Sequence, residues 1–156
     1  VITKTSIQEG KIMSAQNKEI VRRVYQEIFD VNDITAVDKL FAPDVRIHDP
    51  IMGDQQGIEA YRQLASFFLN AFPQETTDLN IFVAEGDYVA VLHTHHAVNT
   101  GSFMGLPPTG LTVHVPGIEL YRLQNGRIVE FWRHDDDAGL MRQLGLLPQS
   151  QTQESL

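Results

Sequence analysis

PGIELYRLQNGRIVEFWRHDDDAGLMRQLGLLP, residues 116–148, decides the fold. Two apolar runs, Gly117–Leu123 and Ile128–Trp132, flank Gln124-Asn125-Gly126-Arg127. Asn-Gly supplies the two positive-φ residues of a tight turn, so the runs are predicted to pair antiparallel. Strand alternation puts Glu119 and Tyr121 on one face of the first run and Phe131 and Arg133 on one face of the second. In this register Glu119 and Arg133 face the same space. Ionisable groups on the strands of a small domain are costly unless paired, solvated or used. The hairpin therefore points to a site as well as to a sheet.

Working outward, Ser14–Asp30 carries Ile20, Val21, Val24, Tyr25, Ile28 and Phe29 at helical spacing. Asp33 can cap a short helix running to Phe41 and stopped by Pro43, and Asp44–Asp49 reads as a strand. Gly57–Phe72 is a further amphipathic helix. The period then changes to that of strands at Thr77–Ala84, Tyr88–Asn99, Thr112–Leu123 and Ile128–His134. Helices followed by a mostly antiparallel meander define an α+β fold. We expect a cone-shaped α+β barrel, with the N-terminal helices packed in a bent sheet and a ligand pocket at the open mouth.

The 156 residues fit one domain, with a net charge of −8 from 20 acidic and 12 basic residues. That balance argues against nucleic acid as a partner. No apolar run approaches the ~20 residues of a membrane span, so no membrane partner is expected. With no cysteine there is no disulfide framework, zinc–thiolate site or thiol nucleophile, and a cytoplasmic setting is the plain inference. Residues 1–13 are expected to be a disordered arm or tag remnant, 14–148 a single domain and 149–156 a flexible tail.

Several segments carry a family resemblance: G-I-E-L-Y-R-L at 117–123, N-G-R-I-V-E-F-W at 125–132 and G-L-M-R-Q-L-G-L-L-P at 139–148. Upstream, Leu40-Phe41-Ala42-Pro43-Asp44, His48-Asp49-Pro50 and the loop Gly101–Gly110 fall in the same order and spacing. Over roughly residues 17–148 the chain resembles the SnoaL-like polyketide cyclases of the nuclear-transport-factor-two-like superfamily. The resemblance implies an acid/base enzyme without cofactor or metal that closes a ring in a polyketide-like substrate by an aldol-type step, and a homodimer packed through its sheet. Lyase or isomerase chemistry, epoxide hydrolysis on a terpenoid or aromatic substrate, and a non-catalytic binding or dimerisation module are the alternatives on the same scaffold.

In the resembled enzymes the position of Arg133 holds the acid/base aspartate and that of Glu119 a histidine. Here one anion and one cation are kept with their places exchanged. An ion pair between them would suit a partly desolvated pocket, and a purely structural salt bridge fits as well. His134 is a candidate base and Asp136 its orienter, whereas Asp135 and Asp137 read as helix caps. The resemblance adds His48, Asp49, Phe103 and Met104 as pocket residues. Phe131 and Trp132 are expected in core or cavity wall, contacting substrate alongside Tyr121. His93-Thr94-His95-His96 offers His-x-His on one strand face, a geometry metals exploit, but no complete ligand spacing accompanies it. One of His93 and His95, with His95 the substrate-binding candidate, is instead expected to line the pocket or a subunit interface.

Overall fold

In the computed structural model, which describes residues 3–149, helix α1 spans Lys4–Arg23. It begins within the segment expected to be a disordered arm. Thr3 caps it: the Ser6 amide donates to Thr3 Oγ1 (3.2 Å) and the Thr3 amide to Ser6 Oγ (3.0 Å). Residues 1–2 and the tail beyond Gln149 lie outside the described residues. The helix then widens into π-helical turns over Val24–Asp30, which bury Val24, Tyr25 and Ile28. Asp33 accepts from the Thr35 amide, as its capping role predicts, and a 3₁₀ turn leads into α2, Val37–Leu40.

Strands β1, Phe41–Asp49, and β2, Gly53–Gln56, form a hairpin that leads into helix α3, Ile58–Ala71. Four longer strands follow: β3, Thr76–Glu85; β4, Tyr88–Val98; β5, Thr112–Gln124; and β6, Arg127–Asp135. Helix α4, Asp137–Gln143, closes the domain. One six-stranded sheet has the order β2-β1-β6-β5-β4-β3. All neighbours pair antiparallel except β1 and β6, which run parallel. The sheet curls around the helices without closing, so the expected barrel is an open, strongly bent sheet. Asn125 (φ 50°) and Gly126 (φ 73°) make the predicted turn between β5 and β6.

The inner face of the sheet reads as three zones. At one end Val89 and Val91 of β4, Tyr121 and Leu123 of β5, and Ile128 and Phe131 of β6 join Tyr25, Ile28, Tyr61 and Leu64 in the main core. At the other end Ala97, Val113 and Val115 pack with Ala71, Phe72, Phe103 and Leu140 in a second cluster. Between the two cores lie His93, His95, Glu119, Arg133 and Asp135.

The outer face holds a separate network. Glu130 accepts hydrogen bonds from Arg46 (2.7 Å) and Arg122 (3.0 Å) and lies 3.0 Å from His48 Nε2. His48 also meets Asp54 of β2 (3.0 Å) and stacks on Trp132, with ring centroids 5.0 Å apart. His48 and Trp132, expected at the pocket, are thus cross-strand neighbours on the wrong side of the sheet, placed there by the β1–β6 register. The bond to Glu130, helped by Asp54, raises the His48 pKa against the opposing effect of burial. A raised folded-state pKa adds stability that is fully present below the unfolded value of about 6.5 and is lost as pH rises through the folded value. His48→Gln is therefore expected to cost more stability at about pH 5.5 than at about pH 9, as read by urea unfolding of both proteins at each pH.

Candidate functional site

The zone between the two cores opens into a cavity with about 490 Å³ of free space, its mouth included. Its walls are apolar, from Phe29, Phe68, Phe72, Val113, Val115 and Leu140. Six ionisable groups converge on it: Glu75, His95, Glu119, Arg133, Asp135 and Asp137.

Arg133 is buried and holds three aspartates from three elements. Its Nε donates to Asp49 Oδ2 at the end of β1 (2.5 Å) and its Nη1 to Asp135 Oδ2 (2.8 Å). Both terminal nitrogens donate to Asp137 of α4 (2.9 Å). The guanidinium lies 4.9 Å from the centre of the Phe68 ring. Burial alone would disfavour its charge, but Asp137, Asp135 and Asp49 outweigh that and fix it as a cation. Asp49 also accepts from the amides of Ile51 (2.8 Å) and Met52 (2.6 Å), which makes it an anchor for Arg133 and not a wall of the cavity.

Glu119 is held by two phenols. Tyr25, brought in by the π-helical turns, and Tyr121 (2.6 Å) both donate to Glu119 Oε2. Burial, then the Glu119 charge, pushes both phenols well above their ordinary pKa, so they remain donors. His95 Nδ1 lies 2.6 Å from Glu75 Oε1 and 2.9 Å from Thr77 Oγ1. Burial would lower the pKa of this imidazole; the charge of Glu75 and its bond, with Asp135 and Glu119 behind it, raise it to about 9. Asp135 is pulled below the usual carboxylate range by His93 and Arg133 in spite of burial, whereas burial holds Asp137 above it.

Glu119 and Arg133 do share this cavity and are register partners. The ion pair expected between them is not formed, because the aspartates take the guanidinium and the tyrosines take the carboxylate. His134 is exposed, paired with Ile118 on the outer face, and so is no base for this cavity. Asp136 caps α4 by accepting from the Gly139 amide (2.8 Å), the role expected of its neighbours. Asp135 and Asp137, read as caps, are in the site. Phe103 is buried against Phe67 and Phe72 in the second core, and Met104 is exposed in its loop. Tyr121 and Phe131 are buried core residues. Of the expected pocket residues, His95, Glu119 and Arg133 line the cavity.

The missed residues had a signal. The alternation that turns Arg133 inward turns Asp135 inward too and His134 out. Across the sheet, His93, Gly117 and Asp135 form one register row. Gly117 leaves a gap there: a Cβ on it would stand 1.9 Å from Asp135 Oδ1. The missing side chain lets His93 and Asp135 meet over the middle strand, Nε2 to Oδ1 at 3.1 Å.

The SnoaL family profile, described as SnoaL-like polyketide cyclase, matches residues 19–144. The chain belongs to this family. Among solved structures it is similar to a candidate SnoaL-like polyketide cyclase from Jannaschia sp. CCS1, at 25% identity over 86% of this chain and 95% of that one, with a TM-score of 0.79. AclR, a candidate hydroxylase from Streptomyces galilaeus, is 28% identical over 87% and 85% of the two chains, with a TM-score of 0.78. IdmH, a candidate polyketide cyclase from Streptomyces antibioticus, is 28% identical over 83% and 99%, with a TM-score of 0.73. No curated protein sequence matches the chain. No helix among the described residues of this SnoaL-like chain is long and apolar enough to cross a membrane.

Removing the cation of this SnoaL-like site would leave Asp49, Asp135 and Asp137 facing one another with little water. Arg133→Leu is expected to lower unfolding free energy by about 3–5 kcal/mol, measured by denaturant titration. Asp136→Ala, which removes only a cap, should cost about 1 kcal/mol in the same measurement.

Proposed function

We propose that this chain is an acid/base enzyme acting on a hydrophobic, oxygenated small molecule, and that its reaction is ring closure of a polyketide-like substrate by enolisation and carbon–carbon bond formation. The observation that carries this reading is the cavity itself: apolar walls receive the carbon skeleton while carboxylates and imidazole converge at one end. A module that only sequestered a ligand would have no use for so many buried charges, each of which costs stability.

In this reading Glu119 removes the proton next to a substrate carbonyl. Its Oε2 is held by the two tyrosines, which leaves Oε1 for the substrate. His95, fixed at Nδ1 by Glu75 and Thr77, presents Nε2 to the developing enolate oxygen. Arg133 does not take the enolate, since its donors are committed to aspartates; it positions Asp135 and Asp137. The carbanion then attacks a second carbonyl carbon of the same molecule, and the resulting alkoxide takes back the proton that Glu119 removed, which restores the carboxylate.

The expected outcome is tested with an aromatic β-keto ester bearing a pendant aldehyde. NMR in D₂O follows exchange of the acidic C–H and loss of the aldehyde. Glu119→Gln should slow both by ~10²–10⁴-fold, with His134→Ala as the unaffected control. Full exchange activity in a folded Glu119→Gln protein would sink the assignment.

We also propose that the chain forms a homodimer through the outer sheet face. Ile81, Leu92 and Ile118 form one exposed apolar row across β3, β4 and β5, with Val83 beside it. Such a row suits a second copy of the same sheet. Ile118→Asp should convert a dimer to a monomer in sedimentation equilibrium, and an unchanged mass would exclude this face.

A further inference from the structure

His93 is fully buried, and neither ring nitrogen has an aligned hydrogen-bond partner. Among the described residues, the buried side-chain atoms left without such a partner are these two nitrogens, Asp135 Oδ1 and Glu75 Oε1. All four belong to one small region. His93 Nε2 and Asp135 Oδ1 are 3.1 Å apart yet not aligned for a hydrogen bond, and Glu119 Oε2 stands 4.0 Å from the same nitrogen. Two polar atoms in contact without a shared proton are what neighbouring ligands of one ion look like.

One donor atom from each of His93, His95, Glu119 and Asp135 falls within 4.8 Å of the others. Ligands about 2.1 Å from a first-row metal lie about 3.0 Å (cis octahedral) to about 3.4 Å (tetrahedral) apart, so closure of about 1–2 Å at the widest pair completes the set. We propose that His93, His95, Glu119 and Asp135 bind a divalent transition-metal ion in the floor of the cavity.

The surroundings of each ligand fit this role. Ligands of a bound metal are oriented by partners on their far side. His95 Nδ1 is bonded to Thr77 Oγ1, with Glu75 Oε1 in close ionic contact, which leaves Nε2. Asp135 Oδ2 is taken by Arg133, which leaves Oδ1. Glu119 Oε2 is oriented by both tyrosines and is the oxygen that faces His93 Nε2, with Oε1 still free for substrate. Two nitrogen and two oxygen donors suit zinc, cobalt or iron(II) and disfavour magnesium and calcium, which take oxygen alone. Charge points the same way: the five carboxylates of Asp49, Glu75, Glu119, Asp135 and Asp137 exceed the charge of Arg133 and a protonated His95, and a dication taking the place of the His95 proton offsets part of that excess. The open side of the cluster faces the cavity, so a bound ion would polarise a substrate oxygen in place of His95. The binding site stands independently of the ring-closure reading.

The test uses the whole protein, freed of metal with EDTA and then titrated with Zn²⁺ by calorimetry and with Co²⁺ by visible absorption. One Zn²⁺ per chain is expected, with d–d bands for Co²⁺ and a higher melting temperature in stoichiometric Zn²⁺. His93→Gln and the isosteric Asp135→Asn should each weaken binding by at least about 100-fold, with circular dichroism confirming the fold. If either variant unfolds, Glu119→Gln takes its place. The control is the outer-face pair His96 and His114, whose Nδ1 atoms lie 2.6 Å apart and form a rival exposed chelate. His96→Ala should leave the stoichiometry unchanged. Absence of stoichiometric binding, binding that survives the cavity variants, or binding lost with His96 would each overturn the proposal. Metal binding without C–H exchange would retain the ion site and discard the ring closure; exchange without metal binding would do the reverse.

Discussion

One guanidinium shared by three aspartates holds this domain's functional end together. Arg133 reaches Asp49 at the end of the first strand, Asp135 two residues along its own strand, and Asp137 in the first turn of the last helix. Buried charges are tolerated where every partner is present, and each of these carboxylates depends on the same cation. The last helix docks with its first-turn carboxylate on this cation and its Leu140 in the second core. Electrostatics and packing thereby close the same corner of the fold.

The curled sheet divides its inner face between two apolar clusters with a polar belt between them. Either cluster alone is ordinary core packing. The belt costs stability, since imidazoles and carboxylates are taken from water there, and the flanking cores supply what it costs. The π-helical turns at Val24–Asp30 belong to the same arrangement. They set Tyr25 over the belt, where its hydroxyl reaches Glu119, while Ile28 stays in the main core. Widened turns of this kind recur where a helix must place a side chain for function.

Most of the architecture was legible in the sequence. Period-2 alternation and Asn125-Gly126 announced the hairpin, and helical spacing announced Val21 to Phe29. Contacts distant in sequence were hidden. The parallel pairing of β1 with β6 turns His48 outward onto Trp132, and no local pattern encodes that register. The site was half legible. Alternation placed Glu119 and Arg133 inside, and the same rule applied two residues further would have exchanged the roles of Asp135 and Asp136. His93 stood out beside His95 as a His-x-His pair, but its meeting with Asp135 was out of reach, as was Glu75, since these partners lie on other elements. Gly117 gave no signal of its own, because its importance lies in what is absent from it.

The cavity's charged groups also arrive in two shares from separate pieces of chain. The β5–β6 hairpin and the first turn of α4 deliver Glu119, Arg133, Asp135 and Asp137, whereas Asp49, Glu75, His93 and His95 come from upstream. Arg133 keeps Asp135 and Asp137 within its own share, but Asp49 takes its cation, and Glu119 its Tyr25 donor, from the other. A hairpin exchanged between this chain and a relative with a different belt would leave the buried Asp49 without its cation and Glu119 without Tyr25. The C-terminal third and the rest of the domain are thus bound to change together, and chimeras that cut between β4 and β5 should fail at the level of folding before any question of substrate arises.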